Sequence, residues 1–163
     1  MIFLSEEAKR EIYEESRARL ESWYTPETIK RGGCLYWAQC SGISLHKRGL
    51  CPSLRAGTML WPMVAEDDGV SPTHFGYEWS PTHPFSVAAV KEGKMPEMHV
   101  WNEVGGMIVD FSTGQFKTIA EEIHKLKWTA PDPPRFLWGF PPGDAVYHNE
   151  FAALRWAFRF ITQ

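Results

Sequence analysis

The 163-residue sequence predicts one α+β domain spanning residues 1–163, with helices set ahead of an antiparallel sheet. Two observations carry that expectation. Amphipathic helical patterns fill most of residues 6–49, and alternating apolar runs follow between 57 and 112. The last two of those runs flank Gly105-Gly106, a pair able to supply the positive φ angles of a two-residue hairpin turn.

Taken in order, Ser5 reads as the cap of a helix over 6–22, with Glu6 and Glu7 in the first turn where the dipole favours acids. Ala8, Ile12, Leu20 and Trp23 fit its inner face. Thr25-Pro26 starts a short second helix, and Gly32-Gly33 breaks it. A third helix begins at Cys34 with a stripe of Cys34, Ala38, Ser41 and Leu45. It ends with His46, Lys47 and Arg48 before Gly49.

Residues 57–64 read as a strand with Met59, Trp61 and Met63 on one face, edge or bulged at Pro62. Glu66 to Gly69 form a turn. Thr73, Phe75, Tyr77 and Trp79 alternate as a half-buried strand, and 80–96 reads as a long connection. After the hairpin, Phe116, Ile119, Ala120 and Ile123 predict a helix over 116–126. The Pro-rich stretch 129–144 reads as extended with one short strand. Asn149 is expected to cap a last helix carrying Phe151, Ala152, Leu154, Ala157, Phe158 and Ile161.

The hairpin is where chemistry enters. With the turn at Gly105-Gly106, Val104 opposes Met107, Asn102 opposes Val109 and Trp101 opposes Asp110. Side chains alternate with period two, so His99 and Asp110 share a face as diagonal neighbours, with Cα atoms about 7–8 Å apart. A carboxylate reaches an imidazole N–H across that distance. Such a pair is half of an acyl-transfer site, and the other half is a nucleophile. Cys34 is the candidate, because helix-start N–H groups and the dipole stabilise thiolate. The preceding glycines allow a substrate backbone to come close. The other reading of Cys34 is a small buried core thiol.

Composition narrows the rest. Net charge is −3 with no basic stripe, which points away from nucleic acid and anionic membranes. No apolar run is long enough to span a bilayer, and the N-terminus lacks the pattern of a secretory leader. Three Cys without a Cys-x-x-Cys read as reduced thiols in a cytoplasmic setting. Cys34, Cys40, His46 and Cys51 do not follow zinc-ligand spacing, so neither metal nor cofactor is expected. Eight Trp suit either a core of large residues or an aromatic-lined groove.

The words His99-Val-Trp101-Asn-Glu103 and Val109-Asp110-Phe-Ser-Thr113-Gly-Gln resemble the histidine and aspartate motifs of the transglutaminase-like superfamily. Gly33-Cys34 ahead of an aromatic-rich helix resembles its nucleophile motif, and the order Cys, His, Asp matches. The resemblance implies a papain-like fold in the wide sense, with a Cys-bearing helix packed on an antiparallel sheet. It implies a cysteine peptidase or amidase acting on a peptide or protein through Cys34, His99 and Asp110. A transglutaminase or amine acyltransferase would use the same triad, and a peptide-binding module would keep the fold without turnover. The sequence departs from the family in placing Leu35 and Tyr36 between Cys34 and Trp37, and it has no Gln just upstream of Cys34. The Cys34 N–H next to Gly33 would then serve as one oxyanion donor. The Trp61 indole N–H is the proposed second, and Trp101 would cover the His–Asp pair.

Overall fold

The computed structural model describes residues 3–30 and 33–161. Gly32, expected to help break the second helix, lies outside the described residues. The architecture is α+β, with an open, wholly antiparallel sheet. Helices α1 (Glu6–Trp23), α2 (Pro26–Lys30) and α3 (Cys34–Lys47) come first. Strands β1 (Ser53–Pro62) and β2 (His74–Tyr77), helix α4 (Pro84–Lys91), and strands β3 (His99–Val104) and β4 (Met107–Asp110) follow. A short α5 (Phe116–Thr118), strands β5 (Leu137–Gly139) and β6 (Val146–Asn149), and α6 (Phe151–Ile161) complete the chain.

Local chemistry explains most boundaries. The Ser5 hydroxyl accepts from the Ala8 N–H at 3.1 Å and opens α1. Gly49, at φ 77°, ends α3, its N–H donating to the His46 carbonyl at 2.9 Å. Gly105 and Gly106, at φ 58° and 81°, make the tight hairpin turn between β3 and β4. The register is Asn102↔Val109, Glu103↔Ile108 and Val104↔Met107.

Hydrogen bonding runs β2-β1-β3-β4-β5, with β6 also paired to β1. Gly57 is matched to both His99 and Asn149, and Met59 to both Tyr77 and Tyr147. One residue cannot have two partners on one edge. Strand β6 therefore lies along one edge of β1, while β2 and β3 lie end to end along the other. Pro62 pairs with His74 beyond the last β6 partner, Leu60↔Val146, where its missing N–H leaves no ladder bond unmade.

One sheet face carries α1 and α3. Val109 packs there with Ile12, Tyr13, Leu20, Trp37, Cys40 and Leu45, and Ala56 and Val100 pack with Cys34, Ala38, Ala153 and Ala157. The Asn102 amide donates to the Ala38 carbonyl at 2.7 Å and meets Ser41 Oγ at 2.8 Å, tying β3 to α3. The other face holds Met59, Trp61 and Phe75 under Phe116, Ile119, Ala120 and Trp128. Trp37, Trp61, Trp101 and Trp128 are buried and the other four Trp are not, Trp23 being 52% exposed, so the Trp-rich composition serves core and surface alike.

Several expectations are corrected. Strand β1 starts four residues before the expected 57, because Ser53–Gly57 pair with β3. The connection 80–96 contains α4, capped by His83 Nδ1 accepting from the Phe85 N–H, with Pro84 at its first position. The helix expected over 116–126 is α5 followed by a wider turn over Ile119–Ile123, and Lys125 at φ 56° stops it. Asn149 does not cap α6. It ends β6, and its side-chain oxygen accepts from the Ala56 N–H at 3.1 Å. On α6 only Ala153 and Ala157 are buried, while Phe151 and Phe158 face outward.

Gly57 holds β6 in place. A Cβ there would stand 2.1 Å from the His148 carbonyl oxygen. Gly57→Ala is expected to destabilise the fold by about 2–4 kcal/mol in urea titration, because backbone rather than a flexible side chain must move.

Candidate active site

His99 is the first residue of β3, and its ring points to the face opposite α3. It is fully buried. Tyr77, the last residue of β2, lies parallel to it at 5.9 Å between ring centres. Trp101 stacks at 6.0 Å, and Phe116 and Tyr147 approach edge-on at 5.7 and 5.9 Å. This aromatic enclosure fixes the ring plane.

His99 Nε2 lies 2.7 Å from Asp110 Oδ2. Asp110 is also buried, and every bond it makes is accounted for. Its Oδ1 accepts from the Ser112 N–H at 2.9 Å and the Ser112 hydroxyl at 2.6 Å. Its Oδ2 accepts from the Tyr147 hydroxyl at 2.7 Å as well as from His99. Burial opposes the carboxylate, but the His99 charge and bond, then the two Ser112 bonds, outweigh it and hold Asp110 below the usual range. Burial likewise opposes the imidazolium. The Asp110 charge and bond and then the Cys34 side chain outweigh it and push His99 up to about 10.

Cys34 opens α3 and keeps 7% of its surface exposed. Its side chain interacts with the His99 ring and electrostatically with Tyr77. It packs with Ala56 and Val100, on the α3 face. Along one edge of β1, β2 stops at Tyr77 and β3 starts at His99, and the Cys34 side chain interacts with both residues. With Nε2 committed to Asp110, Nδ1 is the nitrogen open to the sulfur. Nδ1 is buried and completes no hydrogen bond at rest among the described residues. An imidazole so arranged can take a proton from the thiol while its far nitrogen stays bonded to a carboxylate.

The structure thus brings Cys34, His99 and Asp110 together, with Trp101 covering the ring. Gly33 meets the end of α2 closely. A Cβ on it would stand 2.4 Å from the Ile29 carbonyl oxygen, and its N–H donates to that oxygen at 3.2 Å. Glycine is needed there for the tip of α3 to pack against the last turn of α2. Trp61 packs edge-on to Phe116 at 5.6 Å, in the cluster that also holds Met59 and Phe75. Glu103 pairs with Arg55 at 3.4 Å, away from His99.

Tyr147 was not anticipated from the sequence. Its strand, Val146-Tyr147-His148-Asn149, holds β-forming Val and Tyr but no clear alternation, and no element is expected over 145–148 from the sequence. The other thiols differ from Cys34. Cys40 is buried, and burial pushes it up to about 11, while Cys51 is exposed. No group of three or more metal-ligating side chains occurs among the described residues. Nor is any described helix long and apolar enough to cross a membrane. Beside the tip of α3 lies a groove of about 600 Å³ lined by Leu35, Tyr36, Lys94, Met95 and Phe160, with Glu27 and Thr28 from α2. Comparison with protein-family models, with curated proteins and with solved structures finds no match.

Proposed function

We propose that this chain is a thiol-dependent acyl-transfer enzyme of the transglutaminase-like, papain-like kind, acting as a cysteine peptidase or amidase on a peptide or protein substrate. The observation that carries the reading is the His99 ring. One nitrogen is held at 2.7 Å by a fully bonded Asp110, and the other is buried, unbonded and open to the Cys34 side chain. Most buried polar atoms are hydrogen-bonded, and an unbonded imidazole nitrogen beside a thiol fits a base that receives a proton during reaction.

The chemistry follows from the geometry. His99 Nδ1 takes the Cys34 proton, and Asp110 stabilises the imidazolium. The thiolate attacks the substrate carbonyl carbon, and helix-start N–H groups face the developing oxyanion. The carbon–nitrogen bond breaks, the leaving amine takes the proton from Nδ1, and an acyl-thioester stays on Cys34. Water, deprotonated by His99, then releases the acid and restores the thiol. An amine in place of water would give the transglutaminase outcome, and product mass separates the two.

A second reading is a peptide-binding module that retains the three residues without turnover. The small exposure of Cys34 favours it. Iodoacetamide at about pH 6 discriminates between the two, because only thiolate reacts. The enzyme reading predicts that Cys34, though buried, alkylates faster than exposed Cys51. Faster labelling of Cys51 would favour the binding module.

A further inference from the structure

We infer that Tyr147 is a positioning residue that restrains the Asp110 carboxylate and so sets how firmly His99 holds its proton. The inference rests on the acyl-transfer reading for its consequence in catalysis, but its geometry stands apart from that reading. Tyr147 and His99 share one acceptor, Asp110 Oδ2, each at 2.7 Å. Ser112 occupies only the other oxygen. A neutral donor on the shared oxygen draws off part of the negative charge that the imidazolium would otherwise face.

The donor is built in. Tyr147 stands on β6, opposite Met59 on β1, and its ring meets Trp101 edge-on at 5.2 Å. Burial first, then the Asp110 charge and bond, raise its hydroxyl well above the ordinary value, so it remains a protonated donor while His99 titrates. The other titratable groups facing the pair are Cys34 at the tip of α3 and Tyr77 on β2, with Glu97 one step out beside Tyr77. None of these donates to Asp110, so Tyr147 is the side chain on another strand that moderates the carboxylate.

The sign follows directly. Removing the hydroxyl leaves Asp110 a stronger partner for the imidazolium, and His99 should hold its proton to higher pH. Weakening Asp110 itself has the opposite effect. The experiment is an NMR titration of the His99 ring in protein labelled at histidine. Tyr147→Phe keeps the ring packing and is expected to raise the His99 midpoint by about half a pH unit or more. Because that variant leaves a cavity for the lost oxygen, 3-fluorotyrosine placed at 147 provides a second probe. It is a stronger donor of nearly the same shape and is expected to lower the midpoint. A structural role alone would change melting temperature and leave the midpoint where it is. An unmoved midpoint in both proteins, or shifts of the reverse sign, would overturn the inference. Neither result depends on Cys34, whose alkylation tests the acyl-transfer reading separately.

Discussion

Cys34→Ala is expected to abolish acyl transfer, by at least about 10⁴-fold, while the protein still folds. The loss is large because the sulfur is the atom that forms the covalent bond, and no neighbouring group can replace it. Cys40 is buried and held protonated by that burial, and Cys51 is exposed, away from the His99 ring. The folding cost is small, about 1 kcal/mol for one buried sulfur. A secondary effect should accompany it. The Cys34 side chain helps keep a proton on His99, so the variant should lose that proton at lower pH than the wild type. Assay of peptide or ester cleavage together with a urea melt checks both parts. Retained activity would show that the chemistry, if any, lies elsewhere.

Asp110→Asn is expected to affect both rate and stability. The carboxylate accepts four bonds, from His99, Tyr147 and the two Ser112 donors, and the amide cannot accept them all. Without the charge, His99 loses the largest of the influences that raise it and releases its proton at lower pH, although the aromatic enclosure still holds the ring plane. A loss of about 10⁴ in rate follows for a nucleophile–base pair of this kind. Removing one partner of a buried pair costs about 3–5 kcal/mol. The pH dependence has a definite sign. His99 is raised from 6.5 to about 10 in the fold, so its share of stability is full below 6.5 and is lost as pH rises towards 10. Asp110 is lowered from 3.8, so its share is full above 3.8 and is lost as pH falls through its lowered value. The stability gap between wild type and Asp110→Asn should therefore be widest near pH 4–6.5 and shrink as pH rises from 6.5 towards about 10. A gap that is constant across that range would mean the pair is not ionised.

The hairpin was legible because its constraint is local. Two adjacent glycines at φ 58° and 81° fix the turn, the turn fixes the register, and the register puts His99 and Asp110 on one face. The start of α3 was legible for a similar reason, since its stripe and its terminal Gly49 lie in one window. What failed depends on contacts distant in sequence. Asn149 looks like a helix cap until β1 is known to offer the Ala56 N–H across 93 positions. Tyr147 was overlooked with the same strand. Helix α4 was missed because 80–96, with its three Pro, reads as a connection, whereas Pro84 occupies the first helical position, where no N–H is needed. The family-level expectation came from short words around Cys34, His99 and Asp110. The α+β architecture emerged independently from the patterning.

The central claim is that the Cys34 sulfur becomes covalently acylated with His99 as its base. The most direct measurement is rapid acid quench of the wild-type protein with an activated ester, followed by intact mass and peptide mapping. One acyl group on the peptide containing Cys34, lost on standing in water and absent from His99→Ala, is the predicted result. Acylation of Cys51 alone, or an equal yield from His99→Ala, would contradict it.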